Sequence, residues 1–352
     1  MAGAASCKSH DKSKYVPQDV QEVLGVQAPD IQAAIRVRVD SGKAPSWVSS
    51  SRWKLVQRLY ASYDGAPLWI QPEGVRDRAS ALLAALDSAP THALRTDAYP
   101  LDSIRRVVNA KKIDSGAKAA DIANADVLLT AAYVGYASDM LTGQINPQTV
   151  SQSWYIPARR SAVDSALIHT LQDSSIADGL SHMAPQDSEY TVLRREYAKY
   201  RAIAANGGWD SVAAGVSRAE LSGRLMIEGY EVPSDDSVMA ALKVWQERHD
   251  LDADGKLGKM TFAALNVSAA ERAAQIASNM ERHRWLPRAL GQKYVYVNVP
   301  SFRLDAFDSG QRVLSMKVVV GAEYNGRATP VFADSMRPCR LQPNDLFDLF
   351  RG

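Results

Sequence analysis

The sequence predicts a multidomain α+β protein that is mostly α. Three observations carry that prediction. From Ser50 to Trp285 apolar residues recur at helical spacing, broken by stop signals such as Pro90, Gly143, Pro185 and Gly207-Gly208. Between Tyr294 and Val320 the period changes to alternation, which marks strands. The length, 352 residues, is enough for two or three domains.

Composition narrows the function classes. Hydrophobic content of 46% and charge of 23% fit a globular protein. A net charge of +2 leaves no broad electrostatic footprint, so no nucleic acid partner is expected. No apolar run approaches the ~20 residues of a membrane span, so no transmembrane segment is expected. The two cysteines, Cys7 and Cys339, sit near opposite ends. They argue against a disulfide framework and form no metal-ligand cluster. No phosphate loop and no Gly-x-Ser-x-Gly elbow is present, so no cofactor is expected.

Residues 1–45 are polar and mixed, and read as a disordered segment or tether. Ser50–Tyr63 has an amphipathic pattern with Trp53, Val56, Leu59 and Tyr60 on one face. Tyr63-Asp64-Gly65-Ala66-Pro67-Leu68-Trp69-Ile70 is a turn leading into an apolar knot. Helices are expected over Val75–Leu86, Leu101–Ala110, Asp121–Leu141, Ala162–Gln172, Ile176–Met183 and Glu189–Ala205.

Ser217–Val267 fits three short helices. Leu221, Leu225 and Ile227 give the first its stripe. Met239, Leu242, Val244 and Trp245 serve the second, and Phe262 and Leu265 the third. Ser234, Asp235 and Asp236 offer an N-cap, and Asp254-Gly255 a turn. A helix over Ser268–Arg284 is stopped by Pro287. Strands follow at Tyr294–Val299, Phe302–Phe307 and Val313–Val320, with Asp308-Ser309-Gly310-Gln311 as the hairpin turn.

These stretches carry family resemblances. Ala241-Leu242-Lys243-Val244-Trp245-Gln246, His249-Asp250-Leu251, Asp254-Gly255-Lys256-Leu257-Gly258, Thr261 and Ala264-Leu265-Asn266 together resemble the peptidoglycan-binding module of cell-wall enzymes. The resemblance implies contact with a wall glycan or stem peptide. Within the module Trp245, Gln246, His249, Lys256 and Thr261 are the candidate binding residues.

Upstream, Tyr63-Asp64…Pro67-Leu68-Trp69, Asp97-Ala98-Tyr99-Pro100-Leu101, Asp126-Val127-Leu128-Leu129-Thr130, Tyr136-Ala137-Ser138-Asp139-Met140 and Tyr197-Ala198-Lys199-Tyr200-Arg201 come in one order. They resemble the helical scaffold domain of the large murein L,D-transpeptidases, the YcbB-like type. Val297-Asn298-Val299-Pro300, Phe302-Arg303-Leu304 and Thr329-Pro330-Val331-Phe332 resemble the opening of that family's catalytic domain, and the resemblance stops near Met336. The implied organisation is a segment 1–45, a scaffold domain 46–210, a peptidoglycan-binding module 215–267, a connecting helix 268–290, the start of a catalytic domain 291–336 and an unrelated tail 337–352.

The family cross-links stem peptides by acyl transfer through a Cys thiolate. Such a nucleophile needs an imidazole nearby and N–H donors for the oxyanion. The sequence has no His-Gly-Cys, and no His follows His283. Cys339 lies beside Pro338 and reads as a bystander thiol, so no catalytic residue is assigned. Codon degeneracy permits a frameshift near Met336, and the expectation is a catalytic domain cut short. Its strands should then leave Val295, Val297, Phe302, Leu304, Val318 and Val320 poorly buried.

Ala4-Ala5-Ser6-Cys7 before a polar run resembles the mature start of a bacterial lipoprotein, although the usual Leu is missing. That implies a possible lipid anchor at Cys7, against an ordinary thiol. A periplasmic or outer-membrane-associated location is implied if an export signal precedes Met1, and an unexported cytoplasmic fragment otherwise. Two functions follow: an inactive member of the transpeptidase family that still binds peptidoglycan, or a wall-binding or scaffold protein functional as it stands. Trp154, Trp209 and Trp285 could stack on sugars, but their spacing favours burial. Asp252-Ala253-Asp254-Gly255 reads as a turn rather than a calcium loop, and Arg159-Arg160 as a solvated face.

Overall fold

The computed structural model describes residues 26–41, 43–71, 74–110, 116–157, 161–172, 175–321 and 328–335. Expectations for Cys7, Arg159-Arg160, Cys339 and the 337–352 tail lie outside the described residues. Thirteen helices among the described residues make the protein 57% helical, with one small three-stranded antiparallel sheet near the C-terminus. The α+β, mostly α class is therefore observed. The chain divides into two compact units: Met1–Ile145 with Arg159–Ala289, and Asn146–Ala158 with Leu290–Gly352.

In chain order the elements are α1 (Ala28–Arg36), α2 (Ser50–Ser62), β1 (Ile70–Gln71), β2 (Gly74–Val75), α3 (Asp77–Ser88), α4 (Leu101–Ala110) and α5 (Ala119–Thr142). They continue as α6 (Pro147–Val150), α7 (Ser161–Gln172), α8 (Ile176–His182), α9 (Ser188–Ala205), α10 (Arg218–Ile227), α11 (Val238–Arg248), α12 (Lys259–Leu265) and α13 (Ala269–Trp285). The last three are β3 (Lys293–Asn298), β4 (Arg303–Asp308) and β5 (Gln311–Lys317). Each expected helix and strand is present, with ends shifted by a few residues.

Helix α5 is the axis of the first unit. Its 24 residues are apolar on nearly every side, and such a helix is stable only when surrounded. Ile122, Val127, Leu129, Tyr133, Val134 and Met140 are all buried, and α1, α2 and α7 pack around them. Two carboxylates on α5 are buried as well. Asp126 accepts the N–H groups of Leu68 (2.9 Å), Trp69 (2.8 Å) and Ile70 (3.1 Å) and the hydroxyl of Tyr60 (2.7 Å). The turn after α2 therefore closes onto α5. Burial pushes the Asp126 carboxyl above its ordinary range, and these donors oppose that shift. Asp139 accepts from Arg52, Tyr99 and Gln144, the last at 2.8 Å.

The structured chain starts earlier than the polar composition of residues 1–45 suggests. Ile31, Ile35 and Val39 recur every four residues and are almost fully buried, so α1 and the π-helical turn Val37–Ser41 belong to the same core. Three apolar residues among polar ones are a weak signal. Only the face of α5 they meet makes it decisive.

Helix α13 returns to this core. Its Arg284 is buried and donates to Glu281 (2.7 Å), to the Tyr190 hydroxyl (3.0 Å) and to the carbonyl of His92. Glu281 also accepts the Ile145 N–H at 2.8 Å. Gly143, at φ +83° and ψ 165°, ends α5 beneath this cluster. A Cβ there would lie 2.5 Å from Glu281 Oε1 and from Trp285 Nε1.

The second unit holds the meander β3-β4-β5. Val295 faces Ala306 and Val297 faces Leu304 across β3–β4, while Leu304 faces Met316 and Ala306 faces Leu314 across β4–β5. These six share one apolar face. Ser309 (φ 52°) and Gly310 (φ 79°) form the two-residue turn, whose twist matches that of the strands. Val295, Val297 and Phe302 are 42%, 43% and 53% exposed, and Leu304, Val318 and Val320 are half-buried, as expected of strands with little covering them. A parallel bridge joins Trp154 to Val331, with Tyr155 N–H donating to Val331 O (2.8 Å) and Val331 N–H to Ser153 O (2.9 Å).

Two outcomes follow. Gly143→Ala should cost about 3 kcal/mol, from a backbone region that L-residues avoid and from the clash, and should read as a lower urea midpoint. His92 is buried, and its Nδ1 lies 3.1 Å from the Tyr190 hydroxyl. That hydroxyl already accepts from Arg284, so its own proton goes to a neutral imidazole. Burial, then Arg194 and Arg284, holds the His92 pKa down to about 4. Stability from the neutral ring is present above pH ~6.5 and lost as pH falls toward 4, by about 3 kcal/mol at most. Urea midpoints across that window should fall less steeply in His92→Asn than in the natural protein.

Candidate functional site

The three helices expected between Ser217 and Val267 are α10, α11 and α12, and they form a small core of their own. Leu221, Leu225, Val238, Leu242, Trp245 and Leu265 are buried together with Val212 from the preceding segment. Ile227 and Val244 are instead 43% and 44% exposed, and Val238 takes their place. On α11 the buried face is Val238, Ala241, Leu242 and Trp245, at i, i+3, i+4 and i+7, which leaves Val244 outside it; the helix follows a 3₁₀ turn, Asp235–Ser237, where Ser237 Oγ accepts the Ser234 N–H at 3.1 Å. At the start of α10 Ser217 and Glu220 form a capping box: Glu220 N–H donates to Ser217 Oγ (3.2 Å) and Ser217 N–H to Glu220 Oε2 (2.8 Å).

The structure sorts the five candidate binding residues by access. Trp245 is fully buried, and its indole N–H donates to the Glu228 carboxylate. Gln246 is also buried, and its amide is consumed inside the module. The amide oxygen accepts Gly255 N–H (2.8 Å), and Nε2 donates to Lys256 O (3.0 Å), Thr261 Oγ1 (3.1 Å) and Asp254 Oδ1 (3.2 Å). Thr261 is buried beside it. All three are buried, and Gln246 with Thr261 holds the turn between α11 and α12 from below. Lys256 is exposed on that turn. His249 is half-buried, stacks on Trp245 with centroids 3.9 Å apart, and donates Nδ1–H to Trp245 O at 2.7 Å. Burial holds its imidazole below the ordinary histidine value.

Asp252-Ala253-Asp254-Gly255 forms a turn. Asp254 accepts Lys256 N–H at 2.8 Å and Gly255 takes φ +73°. Among the described residues no group of three or more His, Cys, Asp or Glu could hold a metal ion.

Glu228 is the residue the sequence did not single out. Its carboxylate is out of water and lies 3.4 Å from Arg224 Nη2 and 3.4 Å from the Tyr200 hydroxyl of α9. Its carbonyl accepts Lys199 Nζ at 2.5 Å. Arg224 in turn donates to Leu265 O (3.0 Å) and lies 3.6 Å from the ring centroid of Trp209, which donates to Val267 O at 3.2 Å. Arg224 and Glu228 are four apart on α10, a pattern that reads as a solvated ion pair, and so carried no signal. Trp154 and Trp285 are buried and Trp209 is half-buried, as their spacing suggested.

Elsewhere a shallow cleft is lined by Thr96, Asp97, Leu101, Asp102 and Arg105. Its charges pair locally, Arg105 with Asp87 at 2.6 Å and Arg95 with Asp97 at 2.6 Å, which leaves it little to offer a ligand.

The family model described as Scaffold domain matches residues 54–196. That domain is found in L,D-transpeptidase-type proteins. No curated protein matches the chain. No described helix is long and apolar enough to cross a membrane.

The hold of Gln246 on the turn has a direct outcome. Gln246→Ala strands one buried N–H and one buried hydroxyl and should cost about 2–3 kcal/mol. Lys256→Ala should leave stability within about 0.5 kcal/mol. Hydrogen exchange of the 250–262 segment, faster in the first variant and unchanged in the second, checks both.

Proposed function

We propose that the chain is a peptidoglycan-binding protein of the murein L,D-transpeptidase family that grips wall polymer through the α10–α12 module and performs no acyl transfer with the residues of this sequence. The observation that carries the reading is order along the chain. The Scaffold match over 54–196 is followed directly by a three-helix module with the wall-binding signature. The YcbB-like assignment, the periplasmic location and the wall ligand all come with that reading.

The chemistry supports binding without catalysis. A thiolate nucleophile needs an imidazole within hydrogen-bond reach. Three of the six imidazoles are engaged elsewhere: His283 Nε2 lies 2.8 Å from Asp187, His92 accepts from Tyr190, and His249 stacks on Trp245. His-Gly-Cys occurs nowhere in the sequence.

The purified chain should pellet with insoluble sacculi and should form no cross-linked product from a tetrapeptide donor. Failure to pellet removes the binding reading. Cross-linked product, abolished in Cys339→Ser, removes the non-catalytic one.

A further inference from the structure

The turn between β3 and β4 holds a residue that the turn itself does not call for. Among the described residues the non-glycine positions with positive φ are Asp64, Ala93, Asp250, Phe302 and Ser309. Four of these side chains are small or short and polar. Phe302, at φ 54°, is the bulky one. Its N–H donates to Val299 O at 3.2 Å and closes the turn Val299-Pro300-Ser301-Phe302, which Gly or Asn would close with less strain. Burial does not offset that strain, because the ring is 53% exposed.

Apolar and cationic groups meet at this end of the sheet. The Phe302 carbonyl accepts the Val318 N–H at 2.9 Å, which brings the fully exposed Val319 alongside. Pro300 is exposed as well. Arg303 and Lys317 sit directly opposite each other on β4 and β5, where like charges repel. Both are exposed. Arg303 donates to the Ser315 hydroxyl at 2.7 Å, and Lys317 forms no ion pair among the described residues. The acids of the unit are placed elsewhere. Asp308 lies 3.1 Å from Lys293 at the far end of the sheet. Asp305 is shared between Arg312 at 3.8 Å and the Ser315 hydroxyl at 2.5 Å, and Asp334 accepts the Ser335 N–H at 2.7 Å. Residues 322–327 add Glu323 and Arg327, and 336–352 add three Arg and two Asp, so the sequence brings no surplus of acid.

We propose that this tip is a docking point for an anionic lipid surface. Phe302, Pro300 and Val319 enter the boundary between headgroups and acyl chains. Arg303 and Lys317 pair with lipid phosphates, which relieves their mutual repulsion. Charge selects the occupant. A second copy of the same tip would bring four cations together, whereas a surface dense in negative charge satisfies both of them. A free phosphate would use the cations but leave the three apolar groups in water. One ring and two cations give weak, reversible attachment that salt releases. The proposal does not depend on the wall-binding reading, which concerns the module at 215–267.

The test is cosedimentation of the full chain with vesicles of phosphatidylcholine, alone or mixed with phosphatidylglycerol. The natural chain should sediment with the mixed vesicles and not with the neutral ones, and salt at about 0.5 M should release it. Phe302→Gly and Lys317→Glu should each weaken retention about fivefold. Lys259→Glu, the same charge change on α12, should leave it unchanged. Gly suits the left-handed backbone and Lys317 is exposed, so both variants should keep the natural urea midpoint, and their retention reads the surface rather than the fold. No sedimentation with mixed vesicles overturns the proposal, and so does equal retention of the two variants. Release by inorganic phosphate, where chloride of equal ionic strength does not release, assigns the cations to a free anion and overturns the lipid surface. A dimer in sedimentation velocity that Phe302→Gly dissociates assigns the ring to a second copy and overturns it too. Sacculus pelleting should be the same for all these chains, so failure with vesicles leaves the wall-binding reading standing.

Discussion

A carboxylate taken out of water must be met by donors on its open sides, and this requirement shapes the first unit. Asp126 and Asp139 on α5, Glu228 in the module and Glu281 on α13 are all buried, and each is met by groups distant in the chain. Asp126 gathers the turn at 68–70, Asp139 gathers Arg52 and Tyr99, and Glu281 takes Arg284 and the Ile145 N–H. Removing one partner strands a charge, which costs several kcal/mol, far more than the loss of an exposed pair. The apolar surface of α5 makes the helices collect, and the carboxylates fix which loop sits where.

Glu228 extends the same logic to the module. It draws in Trp245 from α11, Arg224 from its own helix and Tyr200 from α9, while its carbonyl holds Lys199. The module is therefore fixed to α9 rather than left to swing on a tether. Its small core explains why this is useful. Eight buried side chains are close to the lower limit for a stable unit, and a shared polar hub with α9 adds contacts that the module lacks alone.

The second unit shows the opposite balance. Its three strands are well paired along their length, and the Ser309-Gly310 turn sets their register. One face, from Val295 to Met316, is apolar and largely exposed. Pairing satisfies the backbone of the middle strand, whereas packing of that face requires a second layer.

Much of this was legible beforehand. Periodicity placed α5, α9 and the strands because a buried helix face or an alternating strand writes its period into adjacent residues. The signature of the module was legible as a pattern, but the burial of Trp245, Gln246 and Thr261 was not. A fixed Gln beside a turn looks the same in sequence whether its amide faces a ligand or the backbone of the turn. Only the tertiary structure decided that, by closing Gly255, Lys256 and Thr261 around Gln246. The roles of Arg224 and Glu228 were hidden for the same reason. Whether an ion pair at helical spacing is solvated or buried depends on what packs against it, and here that is Trp209, Tyr200 and Trp245, which lie 15 to 28 residues away from their partners in the chain. Local sequence determines elements, because their hydrogen bonds are local. Access and pairing of polar groups are settled by contacts between elements, which no short stretch of sequence contains.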